Sequence, residues 1–149
     1  MKSSTNRNIP FMLLFAIFMI AGNISVGKFV YGQQTLDIKT PGGNEAFGGE
    51  KMGTVTILSK EHSANLVANM TTPPKEGKVF EGWLADVGGS DYKLSLGEFS
   101  KNGTLDYTGT MVNPYTYTQF LVTEEPFEDP DPNAASVVAG AELVSPFGQ

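Results

Sequence analysis

Residues 79–104 read VFEGWLADVGGSDYKLSLGEFSKNGT, and this stretch decides the fold class. In 92–99, large apolar residues alternate with polar or small ones, which predicts a strand with one buried face. Residues 79–86, which hold the only Trp of the chain, form the preceding strand, and the Gly-rich segment 88–91 forms the turn between them. The Asn102-Gly103 pair predicts a second tight turn. Strand, turn, strand and turn in direct succession indicate antiparallel β-structure.

The same pattern extends on both sides of this stretch. Short runs rich in β-branched and aromatic residues, separated by Gly, Pro and Asn, predict further strands at 54–58, 64–70, 105–109, 117–123 and 136–140. No segment after residue 53 has the period of an amphipathic helix. We therefore predict an all-β domain over 54–149, an antiparallel β-sandwich of the immunoglobulin-like or Greek-key type.

The N-terminus predicts export. Lys2 and Arg7 precede the uncharged, strongly apolar stretch 9–27, as in a signal peptide, and 30–32 offers a small-residue cleavage site. The stretch also approaches the length of a membrane-spanning helix, so a retained anchor is the alternative. We assign 1–32 to a hydrophobic helix that is either a signal peptide or a membrane anchor. The Gly-rich stretch 33–53 is predicted to be a tether or a loosely packed lead-in strand.

Composition excludes several classes of partner and site. After residue 32 the chain has seven Lys, no Arg and sixteen acidic residues, which gives a formal charge of −9. Such a surface disfavours nucleic acid and anionic lipid headgroups. The chain has no Cys, which excludes disulfides, thiolate metal sites and cysteine nucleophiles. The expected partner is an unidentified protein or cell-envelope component, with membrane contact through 9–27 if that stretch is not cleaved.

A series of short motifs carries a family resemblance. In chain order they are a Pro-Pro pair, a Gly-Lys pair, an aromatic residue before Gly-Trp-Leu, Leu-Gly-x-Phe, an Asn-Gly turn, a Thr-x-Glu-Pro strand end and a small apolar strand. They lie at Pro73-Pro74, Gly77-Lys78, 80–84, 96–99, Asn102-Gly103, 123–126 and 137–140. Their order, over about 53–143, resembles the extracytoplasmic C-terminal domain of anti-sigma-K factors of the RskA type.

The resemblance implies an exported β-sandwich with a sensory or scaffolding role. Members of that family grip a sigma factor with a cytoplasmic, often zinc-binding, segment that precedes the membrane helix. Here eight residues precede the hydrophobic stretch, and the chain has a single His and no Cys. We therefore expect no sigma-binding segment, and sigma-factor inhibition is not carried over.

An acidic loop is the sharpest local feature. Five carboxylates within eight residues offer hard oxygen ligands for Ca²⁺, at Glu124, Glu125, Glu128, Asp129 and Asp131. Their spacing is not that of an EF-hand, and three prolines in the same segment favour a solvated, extended connector. A secreted Ca²⁺-binding protein is thus an alternative function. No other cofactor is expected.

Aromatic residues give two further candidates. Tyr107, Tyr115 and Tyr117 lie in a loop-like region and predict a recognition patch, with half-buried packing as the alternative. Trp83 and its aromatic neighbours could line a ligand groove together, but a Trp in the middle of a strand more often anchors the core. The neighbours meant are Phe80, Phe99 and Tyr92.

The remaining candidates are weaker. Asp86 with Asp91, or Glu98 with Asp106, would be paired carboxylates for glycoside hydrolysis, but only their charge supports it. We expect no catalytic residues. Two glycosylation sequons begin at Asn69 and Asn102, and His62 lies in a polar turn. Together these features predict an exported, non-enzymatic cell-surface module for binding, sensing or scaffolding, with a carboxylate-dependent hydrolase as the least favoured alternative.

Overall fold

The computed structural model describes residues 33–131 and 133–148, and these form eight β-strands and one short 3₁₀ turn, Pro114–Thr116. The strands are β1 Gln33–Lys39, β2 Lys51–Lys60, β3 Ser63–Met70, β4 Lys78–Ala85, β5 Lys93–Glu98, β6 Thr104–Thr110, β7 Gln119–Pro126 and β8 Val137–Glu142. These ranges contain no α-helix, and so none that could cross a membrane. The N-terminal helix predicted at 1–32 lies outside the described residues.

All eight strands belong to one antiparallel sheet, in the order β5-β4-β7-β8-β1-β2-β3-β6. The outer strands β5 and β6 approach each other without pairing, so the sheet is nearly closed into a barrel. The predicted all-β, antiparallel class is confirmed. The two separate sheets of a sandwich are not found, because a single sheet curls around the core. Alternation of apolar and polar residues along a strand indicates only that one face is buried. Because barrels and sandwiches both bury one face of each strand, the pattern does not distinguish them.

Strand β1 occupies the start of 33–53, for which the sequence leaves open a tether or a loosely packed lead-in strand. It pairs with β2 along its whole length, from Gln33 opposite Leu58 to Lys39 opposite Lys51, and its end also meets β8. Residues 33–39 are therefore an interior strand of the sheet, and 40–50 form the loop that leads to β2. The sequence of β1, QQTLDIK, has only Leu36 and Ile38 as apolar residues, which is too few to show a period.

The barrel interior holds the main core. The fully buried Phe120 and Leu84 come from β7 and β4, and they meet Ile38, Ile57 and Leu66 from β1, β2 and β3. Side chains of this size fill an eight-stranded barrel. Space for a ligand is therefore expected at the ends of the barrel instead of along its axis.

A second apolar cluster covers the outer face of β4 and β7. Trp83, which is 4% exposed, packs there with Leu121 of β7 and with Phe47 from the β1–β2 loop. Its Nε1 donates a buried hydrogen bond of 2.9 Å to Thr123 Oγ1. Trp83 is thus buried, as predicted, but outside the barrel. Because β4 is buried on both faces, residues 82–85 are continuously apolar and do not alternate.

The barrel has two ends, which we name by where the chain enters the described structure. The entry end is where β1 begins, and its loops are 61–62, 86–92, 111–118 and 143–148. The far end carries the other four loops, 40–50, 71–77, 99–103 and 127–136.

Gly82 lets the barrel close. A Cβ at this position of β4 would lie 2.3 Å from Leu105 Cδ2 of β6, whereas its distances to Phe120 and Phe99, 3.4 and 3.5 Å, are ordinary contacts. Leu105 is 3% exposed, so its side chain has little freedom to move away. The two sides of the unpaired seam therefore approach each other only because β4 has no side chain here.

We expect Gly82→Ala to destabilise the fold by about 1–3 kcal/mol, since the added methyl overpacks the interior. Urea unfolding measures this change. The matched control is Gly42→Ala, where the nearest atom to the new Cβ is at an ordinary 3.5 Å. Equal stability of the two variants would contradict the close approach at Gly82.

Candidate functional site

A cleft of about 700 Å³ opens at the far end of the barrel. Its walls are the β3–β4 connection 71–77, the β5–β6 turn 99–103 and Phe127, which follows β7. Both connections cross the seam between β5 and β6, since 99–103 joins these two strands and 71–77 joins their neighbours β3 and β4. The cleft is therefore formed where the barrel is nearly, but not fully, closed.

The inner wall of the cleft is aromatic. Phe80 and Phe99 both line it, and their rings pack edge to face with centroids 6.2 Å apart and planes at 79°. Phe127 lies at the mouth with 65% of its surface exposed. Its backbone N–H donates to the Gly77 carbonyl at 3.2 Å, which ties this residue to the wall formed by 71–77. Phe127 therefore offers most of its ring to a ligand, whereas Phe80 and Phe99, 3% and 7% exposed, form the buried floor of the cleft.

The turn on the other wall depends on the Asn102-Gly103 pair. Gly103 has φ +76°, and a Cβ there would lie 2.8 Å from the Met70 carbonyl oxygen. The Gly103 carbonyl accepts from Met70 N, and Ser100 N donates to the Thr104 carbonyl, both at 2.8 Å. The turn is thus fastened to the end of β3, and Gly meets both requirements.

A carboxylate holds the 71–77 connection. Glu124 Oε1 accepts from the backbone N–H of Lys75 at 2.9 Å, and Oε2 lies 3.2 Å from Lys75 Nζ. The hydrogen bond from the Lys75 backbone, followed by the Lys75 side chain, lowers the pKa of Glu124 below its usual value. Glu124 therefore stabilises one wall of the cleft when it is ionised.

The charged residues that line the cleft are Lys78, Lys101 and Glu98. Within 33–131 and 133–148, no carboxylate lies within ion-pair distance of either lysine. Lys78 nevertheless acts on Glu124, because its charge contributes to the lowered pKa of that carboxyl. Neither lysine is held in a direct ion pair within the described residues, so both ammonium groups can contact a ligand.

The predicted metal ligands of the acidic loop do not converge. Glu124 binds Lys75, whereas Glu125 is 4% exposed on the other face of β7, and its Oε1 accepts from Ala135 N at 2.9 Å. Successive strand residues point to opposite faces, which separates these two carboxylates. Glu128 lies on the exposed loop with φ +62°.

The loop's other carboxylates are used for its own turns. Asp129 Oδ1 accepts from Asp131 N at 2.9 Å, and Asp131 Oδ1 accepts from Asn133 N at 3.0 Å. Across the described part of the chain, no three His, Asp or Glu side chains are grouped as a metal site requires. Among the described residues, the buried Glu125 Oε2 is without a hydrogen-bond partner.

The three tyrosines lie near the entry end, away from the cleft. Tyr117 is 7% exposed within the main core, and burial raises the pKa of its hydroxyl. Tyr115 is half-buried and packs edge to face on Phe147 at 5.6 Å, and Tyr107 is half-buried against the same core. They form packing contacts more than an exposed patch.

The carboxylate pairs considered for hydrolysis lie in a turn and on exposed strand positions. Asp86 and Asp91 share the β4–β5 turn, where Asp86 Oδ2 accepts from Ser90 N at 2.8 Å and from Ser90 Oγ at 2.7 Å. These two hydrogen bonds lower the pKa of Asp86. Glu98 and Asp106 are exposed on β5 and β6, and only Glu98 lines the cleft.

The two sequons and His62 lie at opposite ends of the barrel. Asn69 and Asn102 are both exposed at the far end, and Asn69 Oδ1 accepts from Thr104 Oγ1 at 3.0 Å. Thr104 is the third residue of the Asn102 sequon, so the two sequons are in direct contact. His62 is exposed at the entry end, where its Nδ1 lies 2.8 Å from the Val112 carbonyl oxygen.

The sequence analysis identifies only some of the residues that line the cleft. Phe80 and Phe99 appear among the aromatic candidates for a groove, but Trp83 lies outside the barrel and Tyr92 at the entry end. Phe127 is missed altogether. The feature that could have revealed Phe127 is its position as a single aromatic residue among five carboxylates, because a solvated connector does not need an aromatic side chain.

No family model matches this chain, and neither a curated protein nor a solved structure gives a match. The resemblance to the anti-sigma-K factor domain therefore remains a prediction from its motifs.

We expect Glu124→Gln to lower stability at pH 7 by roughly 0.5–1 kcal/mol, because it removes the charge that faces Lys75. The native pKa is lowered, so this contribution is present above the ordinary pKa of Glu and is lost as pH falls through the native value. Urea unfolding from pH 7 to pH 3 should therefore bring wild type and variant together. Glu128→Gln, on the exposed loop, is the control, and a pH-independent difference for Glu124→Gln would contradict the ionic contribution.

Proposed function

We propose that this protein is exported and acts at the cell surface as a non-enzymatic binding module, with the far-end cleft as its binding site. The observation that carries the proposal is the cleft itself, an aromatic surface flanked by two lysines without ion-pair partners in the described residues. Pockets that combine apolar walls with a few polar groups are the usual form of a ligand site. A sensory or scaffolding role, as the family resemblance implies, would follow from occupancy of this cleft.

The direction of the barrel supports a surface role. Strand β1 begins at the entry end, so the apolar stretch 9–27 joins the domain on that side. If the stretch stays in the membrane, the cleft faces away from the bilayer and towards the surroundings. If it is cleaved, the cleft belongs to a secreted protein and is equally accessible.

Exposed apolar residues favour the anchored form. Val87, Tyr92, Val112 and Val144 are large, exposed and at the entry end, and Val112 is 90% exposed. Among the exposed large apolar residues of the described chain, only Val67 and Phe127 lie elsewhere. An apolar rim on the side that leads to 9–27 is suited to rest near a membrane surface.

Cation binding is the second candidate, and the unpartnered Glu125 Oε2 favours it. A buried carboxylate oxygen without a donor is costly, and a bound cation would relieve that cost. If the loop binds Ca²⁺, the ion should raise the melting temperature, and Glu125→Gln should remove the rise. Glu142→Gln, an exposed acid outside the loop, is the control. An unchanged melting temperature in millimolar Ca²⁺ would reject this candidate.

Export can be tested by single-cysteine labelling, since the chain has no Cys of its own. In intact cells of the native host, a membrane-impermeant maleimide should label Asn102→Cys at the cleft and Val112→Cys at the opposite end. Both positions are exposed, whereas Ala68→Cys is fully buried and should react only after denaturation. Labelling of the two exposed sites only after lysis would contradict export.

Two further measurements separate the forms of the proposal. Faster labelling of Asn102→Cys than of Val112→Cys on cells is expected for an anchored domain whose entry end faces the bilayer. The intact mass from membranes and from medium decides between a retained 9–27 and a product that begins near Gln33.

A further inference from the structure

The far-end cleft has the opposite charge to the rest of the domain. After residue 32 the formal charge is −9, yet the charged residues lining the cleft are Lys78 and Lys101 against Glu98. Two other lysines, Lys51 and Lys75, are held in ion pairs with carboxylates. The lining itself therefore carries a formal excess of one positive charge in an acidic protein, and Glu124, which interacts with Lys78 from outside the lining, reduces its effect.

The same cleft has an apolar side. Phe80, Phe99 and Phe127 line it, and Phe127 keeps most of its surface exposed although its backbone is tied to Gly77. Exposing a large aromatic ring to water is unfavourable. A ligand that covers this ring would recover that free energy.

We propose that the cleft binds an apolar molecule that carries a single carboxylate, such as an acyl chain with a carboxylate head. The hydrocarbon part lies against the three phenylalanines, and the carboxylate accepts hydrogen bonds from the ammonium groups of Lys78 and Lys101. This inference rests on the proposed function, because it takes the cleft as the binding site, and it adds the chemical class of the ligand.

Dodecanoate is the probe that tests the proposal, below the concentration at which it forms micelles. Isothermal titration calorimetry with the protein purified from its native host should give saturable binding. Lys78→Gln and Lys101→Gln should each weaken it about fivefold, as expected for a solvent-exposed ion pair. Phe127→Ala should weaken it about tenfold through lost apolar contact.

Two variants and a second probe check that charge in the cleft is responsible. Glu98→Gln removes the negative charge of the lining, so it should tighten dodecanoate binding. Lys60→Gln, an exposed lysine at the entry end, should leave it unchanged. Dodecyltrimethylammonium has the same chain with a positive head, and it should bind more weakly than dodecanoate.

Each contrary outcome overturns a defined part of the proposal. If both probes bind equally, and Phe127→Ala weakens both, the cleft is a binding site but the carboxylate assignment is wrong. If dodecanoate does not bind, or binds with no response to Lys78→Gln, Lys101→Gln and Phe127→Ala, the inference fails as a whole. Export is judged by cysteine labelling, so its failure remains distinguishable from failure of the ligand class.

Discussion

The structure depends on β4, whose side chains contribute to the cleft, to the closure of the seam and to the outer apolar cluster. Phe80 lies in the wall of the far-end cleft, Gly82 lies under Leu105 where the seam closes, and Trp83 lies in the outer cluster against Phe47. Alternate residues of a strand face opposite sides, so neighbouring residues can serve the interior and the exterior separately. A larger residue at 82 would hold β6 away from β4, and the shape of the cleft would change with it. Closure of the barrel and construction of the cleft are therefore one packing problem.

The sequence predicts strands best where one face of the strand is exposed to solvent. Strand β5 alternates, and the runs before and after it were placed correctly because Gly and Asn-Gly turns separate them. At β1 the sequence leaves a tether and a lead-in strand open, because QQTLDIK has too few apolar residues to show a period, and only pairing with β2 and β8 makes the strand an interior one. The sequence pattern also cannot distinguish a sandwich from a barrel, because the difference depends on which strands pair across the sheet. Pairing partners such as β8 with β1 are distant in sequence.

The functional side of the molecule shows the same limit. The five acidic residues are adjacent in sequence, but strand geometry sends Glu124 to Lys75 and Glu125 to the opposite face. The cleft is assembled from 71–77, 99–103 and Phe127, and nothing in their local sequences says that they meet. What could be foreseen is their chemistry, since Asn102-Gly103 predicts a turn and Phe80 with Phe99 predicts an aromatic wall. Their juxtaposition depends on the strand order, in which both the β3–β4 and the β5–β6 connection cross between the two outer strands at one end of the barrel.

The charge distribution explains how an acidic protein can still favour an anionic ligand. At physiological ionic strength, charges separated by more than about 8 Å are largely screened in water. Three acidic residues are nevertheless close to the cleft. Glu98 belongs to its lining, Glu128 directly follows Phe127, and Glu124 interacts with Lys78. The overall charge mainly slows the approach of an anion and keeps the domain soluble, whereas the balance between Lys78, Lys101 and Glu98 sets the preference once the ligand is in place.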